Sequence, residues 1–452
     1  MLGVCLGRMR VPASLVLSAL SLALATGAQP RASPGFVQVS GGAFVVDGAR
    51  RRFAGTNSLA LAQFAYAYER ADVLQRMAAA NLSLVRLWAF SDGAACSPAP
   101  AQNYFQCWDA ATNRVERNES ALAAHLDAAL VDAARAGARV ILTLVNNWPA
   151  YGGMDAYVEW RLRAAAAGAA PPYASPHHDD FYVDATVRGW YRDWAAAVVG
   201  RVNSLTGVAY RDDPTIFAYE LANEPACTNS SAAAQCVVNG KSPAMHAWIA
   251  EMAAHVKAVD GGRHLLSVGD EGFYGANNTG GVPCPRAQWW CNGASGDWLD
   301  FLTIPGVDYA SLHMYPDSSR MSEWGMGGED AVAAAWIANH TRQAHAAGKP
   351  LLMAEFGHGA AGLAQHGKYE LYTAAALAAG ADGWAVWMIA GLNNEYYKPP
   401  AFPSWYGPGD AELQVYCLRS GDPAAPAAPP GGTPIDLATC AVLLAAAEAL
   451  AG

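Results

Sequence analysis

One stretch decides the architecture: residues Thr215–Ala222 read TIFAYELA and lead directly into Asn223-Glu224-Pro225. A short apolar run of this kind is typical of a buried strand. Proline has no N–H to donate to a strand ladder, so we expect the strand to end before Pro225. The sequence therefore places Glu224 where a strand meets a loop. In a parallel α/β barrel that edge carries the chemistry, but a lone glutamate beside a turn proline is more often simply solvated.

Seven further apolar, β-prone runs occur along the chain, with helical segments between most of them. The predicted strands are Phe53–Asn57, Leu82–Trp88, Arg139–Val145, His264–Val268, Tyr309–His313, Pro350–Glu355 and Gly383–Met388. The predicted helices are Tyr68–Ala80, Ser120–Ala136, Thr186–Asn203, Met245–Val259, Ala331–Ala347, Tyr369–Ala379 and Leu437–Leu450. Phe36–Val39 and Ala43–Val46 predict a small hairpin ahead of the first of these strands.

Regular alternation of strands and helices predicts βαβ units and a parallel sheet. Eight repeats of this size fit a closed (β/α)8 TIM barrel with elaborated βα loops better than an open sheet. An open, doubly wound sheet would need a phosphate-binding loop, and the sequence has none. Ala164–Pro172 and Pro423–Thr433 are rich in small residues and are interpreted as loops, so residues 29–452 are predicted to form a single catalytic domain.

The N-terminus has the pattern of a signal peptide. Arg8 and Arg10 precede an apolar segment, Leu15–Leu24, which is too short to span a bilayer. Thr26-Gly27-Ala28 supplies small residues suitable for cleavage. The sequence therefore predicts that residues 1–28 are removed and that the protein is secreted.

Cysteine usage agrees with an oxidising compartment. Of nine cysteines, Cys5 would leave with the signal peptide, and the remaining eight allow about 105 pairings. Their proximity along the chain favours Cys96–Cys107, Cys227–Cys236, Cys284–Cys291 and Cys417–Cys440. Five N-glycosylation sequons, at Asn81, Asn118, Asn229, Asn277 and Asn339, are consistent with secretion.

Composition limits the classes of partner. The chain is 53% hydrophobic and 15% charged, and its formal net charge of −10 argues against nucleic acid or an anionic membrane as a partner. We find no apolar run after the signal peptide long enough for a membrane helix. The mature protein is expected to be a monomer.

Polar and aromatic residues collect at the carboxyl ends of the predicted strands. They are Arg86, Trp88, Asn146, Asn147, Trp148, Asn223, Glu224, Asp270, Glu271, His313, Tyr315, Glu355 and Trp387. Each has an ordinary structural explanation, as a core ion pair, a packing ring or a buried histidine. Agreement among seven strand ends favours a functional site, because parallel strands bring these ends to one mouth. The residues expected to bind substrate there are Arg86, Trp88, Asn147, Trp148, Asn223, Glu271, His313, Tyr315 and Trp387.

Two carboxylates in this set, Glu224 and Glu355, suggest the chemistry. Glycoside hydrolysis needs a carboxyl pair flanking the scissile bond. One group stays protonated to donate to the leaving oxygen, and the other stays ionised. Arg86 would favour the ionised form, while Trp148 and Trp387 could stack on sugar faces.

This chemistry requires no metal and no cofactor. The run His177-His178-Asp179-Asp180 has metal-binding side chains, but a solvated loop is the favoured interpretation.

The motifs as a set resemble glycoside hydrolase family 5 of clan A, and within it the plant and fungal type of endo-β-1,4-mannanase. They are Gly55–Asn57, Val85–Gly93, Leu144–Trp148 with Tyr151–Gly153, Asp212–Ile216, Asn223–Pro225, Glu271–Gly275, His313–Asp317, Ala354–Gly357 and Trp387. The resemblance implies a retaining mechanism, with Glu224 as acid/base and Glu355 as nucleophile. It also implies that Arg86, Asn223, His313, Tyr315 and Trp387 surround the scissile sugar, and it links Glu271 and Trp148 to the mannanase pattern.

The expected substrate is therefore β-mannan or glucomannan. Two alternatives remain: a β-1,4-glucanase on the same scaffold, and a non-catalytic polysaccharide-binding protein. Ser58-Leu59-Ala60 stands where such mannanases tend to carry aromatic residues, which puts a remote sugar-stacking platform in doubt.

Overall fold

The computed structural model describes residues 35–63, 67–96, 104–166, 177–229, 234–276, 281–282, 284–285, 287–360, 363–389 and 437–451. The predicted signal peptide, Asn277, Cys417 and the predicted loop Pro423–Thr433 lie outside these residues. Among the described residues, no helix combines the length and apolar character needed to cross a bilayer.

Fourteen strands occur within the described part of the chain. In order they are β1 (Gln38–Ser40), β2 (Ala43–Val46), β3 (Ala49–Arg50), β4 (Phe53–Asn57), β5 (Leu84–Trp88), β6 (Asp92–Gly93), β7 (Gln106–Asp109), β8 (Arg114–Arg117), β9 (Arg139–Thr143), β10 (Ile216–Glu220), β11 (Leu265–Ser267), β12 (Ala310–Met314), β13 (Leu351–Phe356) and β14 (Gly383–Val386). Eight of them form one sheet, in the order β11-β10-β9-β5-β4-β14-β13-β12, and every paired neighbour is parallel. These are the eight strands predicted from the sequence.

The two edges of this sheet, β11 and β12, approach each other and nearly close it into a barrel. The backbone N–H of Asp308 donates to the carbonyl of Leu266 at 2.8 Å. The Ser267 hydroxyl donates to the carbonyl of Tyr309 at 3.0 Å. The predicted (β/α)8 architecture is therefore confirmed, with a backbone and a side-chain hydrogen bond rather than a full ladder at the seam.

A helix follows each barrel strand. The helices are Ala67–Ala79, a continuous segment 119–136 with a π-helical middle at Leu122–Asp127, Ala185–Val199, Pro243–Asp260, Trp298–Phe301, Glu329–Ala346, Leu363–Ala379 and Leu437–Ala451. The one after β11, Trp298–Phe301, makes only about one turn and was not predicted. An additional helix, Gly153–Ala166, lies in the loop after β9 and includes the start of the predicted loop Ala164–Pro172.

The amino end of the barrel is closed by a small antiparallel sheet. The predicted hairpin forms β1 and β2, and β3 pairs with β2. From β2, the fully buried ring of Phe44 makes edge contacts with Phe53, Phe217 and Tyr309. Aromatic packing therefore seals the end opposite the predicted site.

The loop after β5 contains a second small sheet that the sequence did not predict. Strand β6 pairs with β7, and β7 with β8 makes an antiparallel hairpin. Gln106 in β7 donates to Asp92 at 2.7 Å and to the hydroxyl of Tyr157 at 2.6 Å. The contact with Asp92 is within the sheet, whereas the contact with Tyr157 attaches the sheet to the neighbouring loop after β9, so the expectation of elaborated βα loops is met here.

Candidate active site

Glu224 lies just beyond β10, in the left-handed region of backbone space. Its φ is +51°, which is uncommon for a non-glycine residue. Hydrogen bonds on both sides hold the turn: Asn223 N–H donates to Val145 at 2.8 Å, and Glu224 N–H donates to Gly269 at 2.8 Å. A backbone fixed in this way by both neighbouring loops is typical of functional positions.

The Glu224 carboxylate accepts two hydrogen bonds. The Trp148 indole N–H donates to Oε2 at 2.6 Å, and His313 Nδ1 lies 2.8 Å from Oε1. Glu224 is only 9% exposed. Trp148 and His313, from two other strand ends, therefore contact the Glu224 carboxylate, and all three residues were predicted for the site.

The Glu355 carboxylate has a different environment. At the carboxyl end of β13, it accepts from the Arg86 guanidinium at 2.5 Å and from the Tyr315 hydroxyl at 2.6 Å. His313 Nδ1 lies 3.5 Å from one of its oxygens. Glu355 is 2% exposed. Hydrogen bonds from a cation and a phenol favour the ionised form of this carboxyl.

Arg86 is fully buried and its hydrogen bonds connect four side chains. Besides Glu355 it donates to Glu220 at 2.5 Å, to Asn223 at 2.9 Å and to Asn57 at 3.1 Å. Burial opposes the charge, but Glu220 and Glu355 raise the pKa of Arg86 above its ordinary value. The guanidinium is therefore a permanent cation beneath the carboxylates.

Sequence reasoning missed Glu220 as a member of the site. It lies at the end of β10, fully buried, and also accepts from the hydroxyls of Thr143 at 3.0 Å and Tyr309 at 3.3 Å. A detectable feature was present: Glu220 is a charged residue inside an otherwise apolar strand, and such a residue needs a buried partner.

The titration behaviour of the two carboxyls follows from their partners. Burial favours the neutral form of Glu224, but the hydrogen bond and charge of His313 outweigh it and lower its pKa. Burial alone would lower the pKa of His313, but Glu355 and then Glu224 raise it. For Glu355 burial dominates and raises the pKa, against the opposing charges of His313 and Arg86. A proton held between Glu224 and His313 therefore lies on the imidazole.

Two further carboxyls follow β11, and the pKa of each is raised above its ordinary value. Burial raises the pKa of Asp270 to about 7. Burial, and after it the charge of Glu224, raises the pKa of Glu271 well above its ordinary value. Glu271 Oε2 accepts from the Ser295 hydroxyl at 3.2 Å. A neutral carboxyl beside the charged pair can donate a hydrogen bond as well as accept one.

Aromatic rings from two sides border the carboxylates. Trp148 is 40% exposed, whereas Trp387, which follows β14, is 7% exposed. The Trp88 ring lies 6.5 Å from that of Trp387 and stacks on Phe90 at 5.1 Å. Because Trp88 is itself only 4% exposed, it supports Trp387 from behind, and its direct contact with substrate stays a prediction.

Asn147 is buried and organises neighbouring loops. Its Oδ1 accepts from the backbone N–H of Ala226 at 2.9 Å and lies 2.9 Å from Nε2 of His178. These contacts tie the Trp148 loop to the segment after Glu224. A substrate contact by Asn147 stays a prediction.

The interpretation of residues 177–180 as a solvated loop is wrong. Asp179 and Asp180 are 0% and 2% exposed. Asp179 accepts from the backbone N–H of Thr228 at 2.7 Å. The segment therefore joins two loops at the rim, because the buried Asp179 carboxylate accepts a hydrogen bond from the backbone of the other loop.

Glu224, His313 and Glu355 have the donor types and spacing of a metal site, since one potential ligand atom of each lies within 4.8 Å of the others. However, these atoms already face one another as an ion pair, and Arg86 donates to the same Glu355 oxygen. A bound cation would lie beside a guanidinium that cannot lose its charge. The chemistry of this donor set fits proton transfer better than metal binding.

Three disulfides lie in loops that follow barrel strands. The structure pairs Cys96 with Cys107, Cys227 with Cys236, and Cys284 with Cys291. Cys440, on the last helix, is also disulfide-bonded. Its predicted partner, Cys417, lies outside the described residues, so that pairing stays a prediction.

Comparison with known proteins identifies relatives of the chain. Residues 34–378 match a family model described as GH family 5 beta-mannosidase-like. The chain is 37% identical over 334 residues to putative mannan endo-1,4-beta-mannosidase 5 of Oryza sativa subsp. japonica, covering 72% of this chain and 61% of that protein. It is 36% identical to mannan endo-1,4-beta-mannosidase 1 of the same plant, covering 72% of this chain and 68% of the relative.

Solved structures agree with these relatives. An endo-1,4-beta-mannanase from Rhizomucor miehei superposes with a TM-score of 0.66 at 30% identity, covering 79% of this chain and 91% of the other. An endo-beta-1,4-mannanase from Thermotoga petrophila superposes with the same TM-score at 25% identity, covering 90% of this chain and 78% of the other.

Proposed function

Because the chain belongs to the GH family 5 beta-mannosidase-like family, we propose that it is a retaining endo-β-1,4-mannanase. It hydrolyses internal β-1,4-mannosidic bonds of β-mannan or glucomannan, and it is secreted. The observation that carries the proposal is the pairing of Glu224 with Glu355, whose nearest ligand atoms are within 4.8 Å. Retaining glycosidases hold their carboxyl groups about 5–5.5 Å apart, whereas inverting enzymes leave room for a water.

In the first step Glu355 attacks the anomeric carbon and forms a covalent glycosyl–enzyme. Arg86 and Tyr315 support this role, since their hydrogen bonds favour the ionised carboxylate against the effect of burial and hold it in position. Glu224 passes a proton to the departing oxygen. The proton comes from His313, which lies 2.8 Å from Glu224 Oε1 and has a raised pKa.

In the second step Glu224, again ionised, removes a proton from water, which attacks the same carbon and releases Glu355. Trp148 orients Glu224 through its indole N–H and also offers an exposed face for stacking on a sugar. Trp387 bounds the site on the side of β14. Double inversion at carbon returns the β configuration.

The substrate class is tested by the release of reducing ends from plain mannan, galactomannan, glucomannan and cellulose. We expect cleavage of the mannans and little cleavage of cellulose. A preference for cellulose would favour the β-1,4-glucanase alternative. Binding without any release of reducing ends would favour the non-catalytic alternative.

The division of labour between the two glutamates is tested with azide and an activated aryl β-mannoside. In Glu224→Ala, glycosylation of Glu355 survives because an activated leaving group needs little protonation, and azide then yields a β-glycosyl azide. In Glu355→Ala, azide attacks the free face and yields the α product. The opposite pair of configurations, seen by NMR, would exchange the two roles.

A further inference from the structure

A groove of about 870 Å³ lies on the outer wall of the barrel, between the β7–β8 hairpin and the helix Ala185–Val199. None of the predicted site residues lines it. Its volume is in the range of ligand-binding pockets, roughly 300–1,000 Å³. The residues that matter for its chemistry are Arg114, Glu116, Arg117, Trp190, Asp193 and Trp194.

The groove has an aromatic wall. The half-buried Trp190 ring packs against Trp108, with ring centroids 6.0 Å apart, and still lines the groove. Below it Trp194 is 1% exposed and anchored, because its indole N–H donates to the carbonyl of Leu144 at 3.0 Å. A rigid indole of this kind can stack on an apolar sugar face at little cost in side-chain entropy.

The rim carries charges of both signs. Arg114, Glu116 and Asp193 are exposed. Arg117 and Glu119 lie 3.9 Å apart and are exposed as well. With positive and negative groups interspersed, the groove has no single-sign field to attract phosphate or nucleic acid. The groove does offer hydrogen-bond donors and acceptors around the Trp190 ring, which suits an uncharged polyhydroxyl ligand.

We propose that this groove is a second binding site for a β-mannan chain, outside the catalytic cleft. The inference rests on the proposed function, which supplies the polysaccharide class. A chain held at two places on one molecule is retained through effective concentration rather than through new chemistry. The second site therefore matters for long or insoluble chains and not for short oligosaccharides.

The test compares Trp190→Ala with the wild type on mannohexaose and on insoluble β-1,4-mannan. We expect kcat/KM on the hexaose to stay within about twofold and the rate on insoluble mannan to fall roughly tenfold, together with adsorption to the solid. Leu205→Ala is the control, because it removes an apolar side chain that is 61% exposed and does not line the groove. This control should behave as the wild type on both substrates.

A second variant guards against a folding effect of Trp190→Ala. Arg114→Ala combined with Asp193→Ala removes exposed rim groups, so it should leave the melting temperature unchanged while weakening adsorption to insoluble mannan. The proposal would be overturned if both groove variants adsorbed fully to insoluble mannan. It would also be overturned if Trp190→Ala lost activity equally on mannohexaose and on insoluble mannan. If the wild type cuts neither substrate, the proposed function fails. The second site is still tested in that case, by comparing the adsorption of the wild type and the groove variants to insoluble mannan.

Discussion

At the scale of single residues, the most connected side chain is Arg86, which joins the predicted nucleophile to Glu220. Both members of the Arg86–Glu220 pair are fully buried. Such a pair costs free energy to desolvate, so it adds little to stability as a whole. Removing one partner is different, because the other remains buried with its charge less well compensated.

We therefore expect Glu220→Ala to lower the free energy of unfolding by about 3–5 kcal/mol, as measured by urea denaturation. Activity should fall as well, since Arg86 would lose a hydrogen bond that fixes its orientation toward Glu355. Glu323→Ala is the control, because it breaks an exposed pair with Arg320 and should change stability little. Unchanged stability in Glu220→Ala would contradict the role given to this pair.

His313 links the titration of the two predicted catalytic carboxyls. Its pKa is raised above the ordinary value of 6.5 by Glu355 and Glu224, against the effect of burial. Its contribution to stability is therefore complete below pH 6.5 and is lost as the pH rises through the raised value. The lowered pKa of Glu224 acts the other way: that contribution is present above its unfolded value and is lost at acid pH.

The proposed mechanism predicts that His313→Ala moves the alkaline limb of the kcat/KM profile to lower pH. Without the imidazole, the catalytic proton must be held by Glu224 alone, whose ordinary pKa is 4.5. The acid limb, which reports ionisation of Glu355, should move less. An alkaline limb at the same pH in both enzymes, measured over the full range, would exclude His313 as the proton holder.

At the scale of elements, the segment 119–136 shows how local chemistry sets helix ends. Asn118 caps its start, since Oδ1 accepts from the N–H of Ala121 at 3.0 Å. Gly137 ends it with φ +74°, and its N–H bonds to the carbonyls of the last turn. An asparagine cap at the start and a left-handed glycine at the end are common features of α-helices, and the end at Gly137 was predicted from the sequence.

We expect Gly137→Ala to lower the free energy of unfolding by about 1–2 kcal/mol, the cost of a left-handed conformation for a residue with a Cβ. No atom lies within 4 Å of the added Cβ, so backbone strain is the only term. Gly189→Ala, inside the helix Ala185–Val199 and equally free of contacts, is the matched control and should stabilise by about 0.5–1 kcal/mol. Equal effects of the two substitutions in thermal unfolding would contradict this account.

At the scale of the whole molecule, one end of the barrel is closed by packing and the other carries the proposed active site. The aromatic contacts around Phe44 seal the amino end, while the carboxyl end carries Glu224, Glu355 and the disulfide-bonded loops. Each bridge closes a short loop, with sequence separations of 7 to 11 residues. Bridges of this size contribute roughly 2–3 kcal/mol, partly by restricting the unfolded chain.

The proposed secretion makes a prediction about the mature protein. Its mass spectrum should place the N-terminus at residue 29 and show glycans on exposed sequons such as Asn81 and Asn229. Non-reducing peptide mapping should recover the three local bridges and Cys417–Cys440. Retention of residues 1–28 would contradict secretion, and a peptide joining Cys96 to Cys227 would contradict the pairing scheme.

The sequence by itself determined the eight barrel strands, most of the helices, and the positions of Glu224 and Glu355 at the carboxyl ends of two strands. These depend on local information: apolar runs, proline and glycine positions, and polar residues at strand ends. Only the tertiary structure decided the partners. Glu220 meets Arg86 because β9 brings β10 and β5 to one side of the barrel, although 134 residues separate them.

The tertiary structure also decided the burial of Asp179 and Asp180, the helix Gly153–Ala166 and the β6–β8 sheet. Each depends on which loops the closed barrel places side by side, and local sequence patterns carry no record of those long-range contacts.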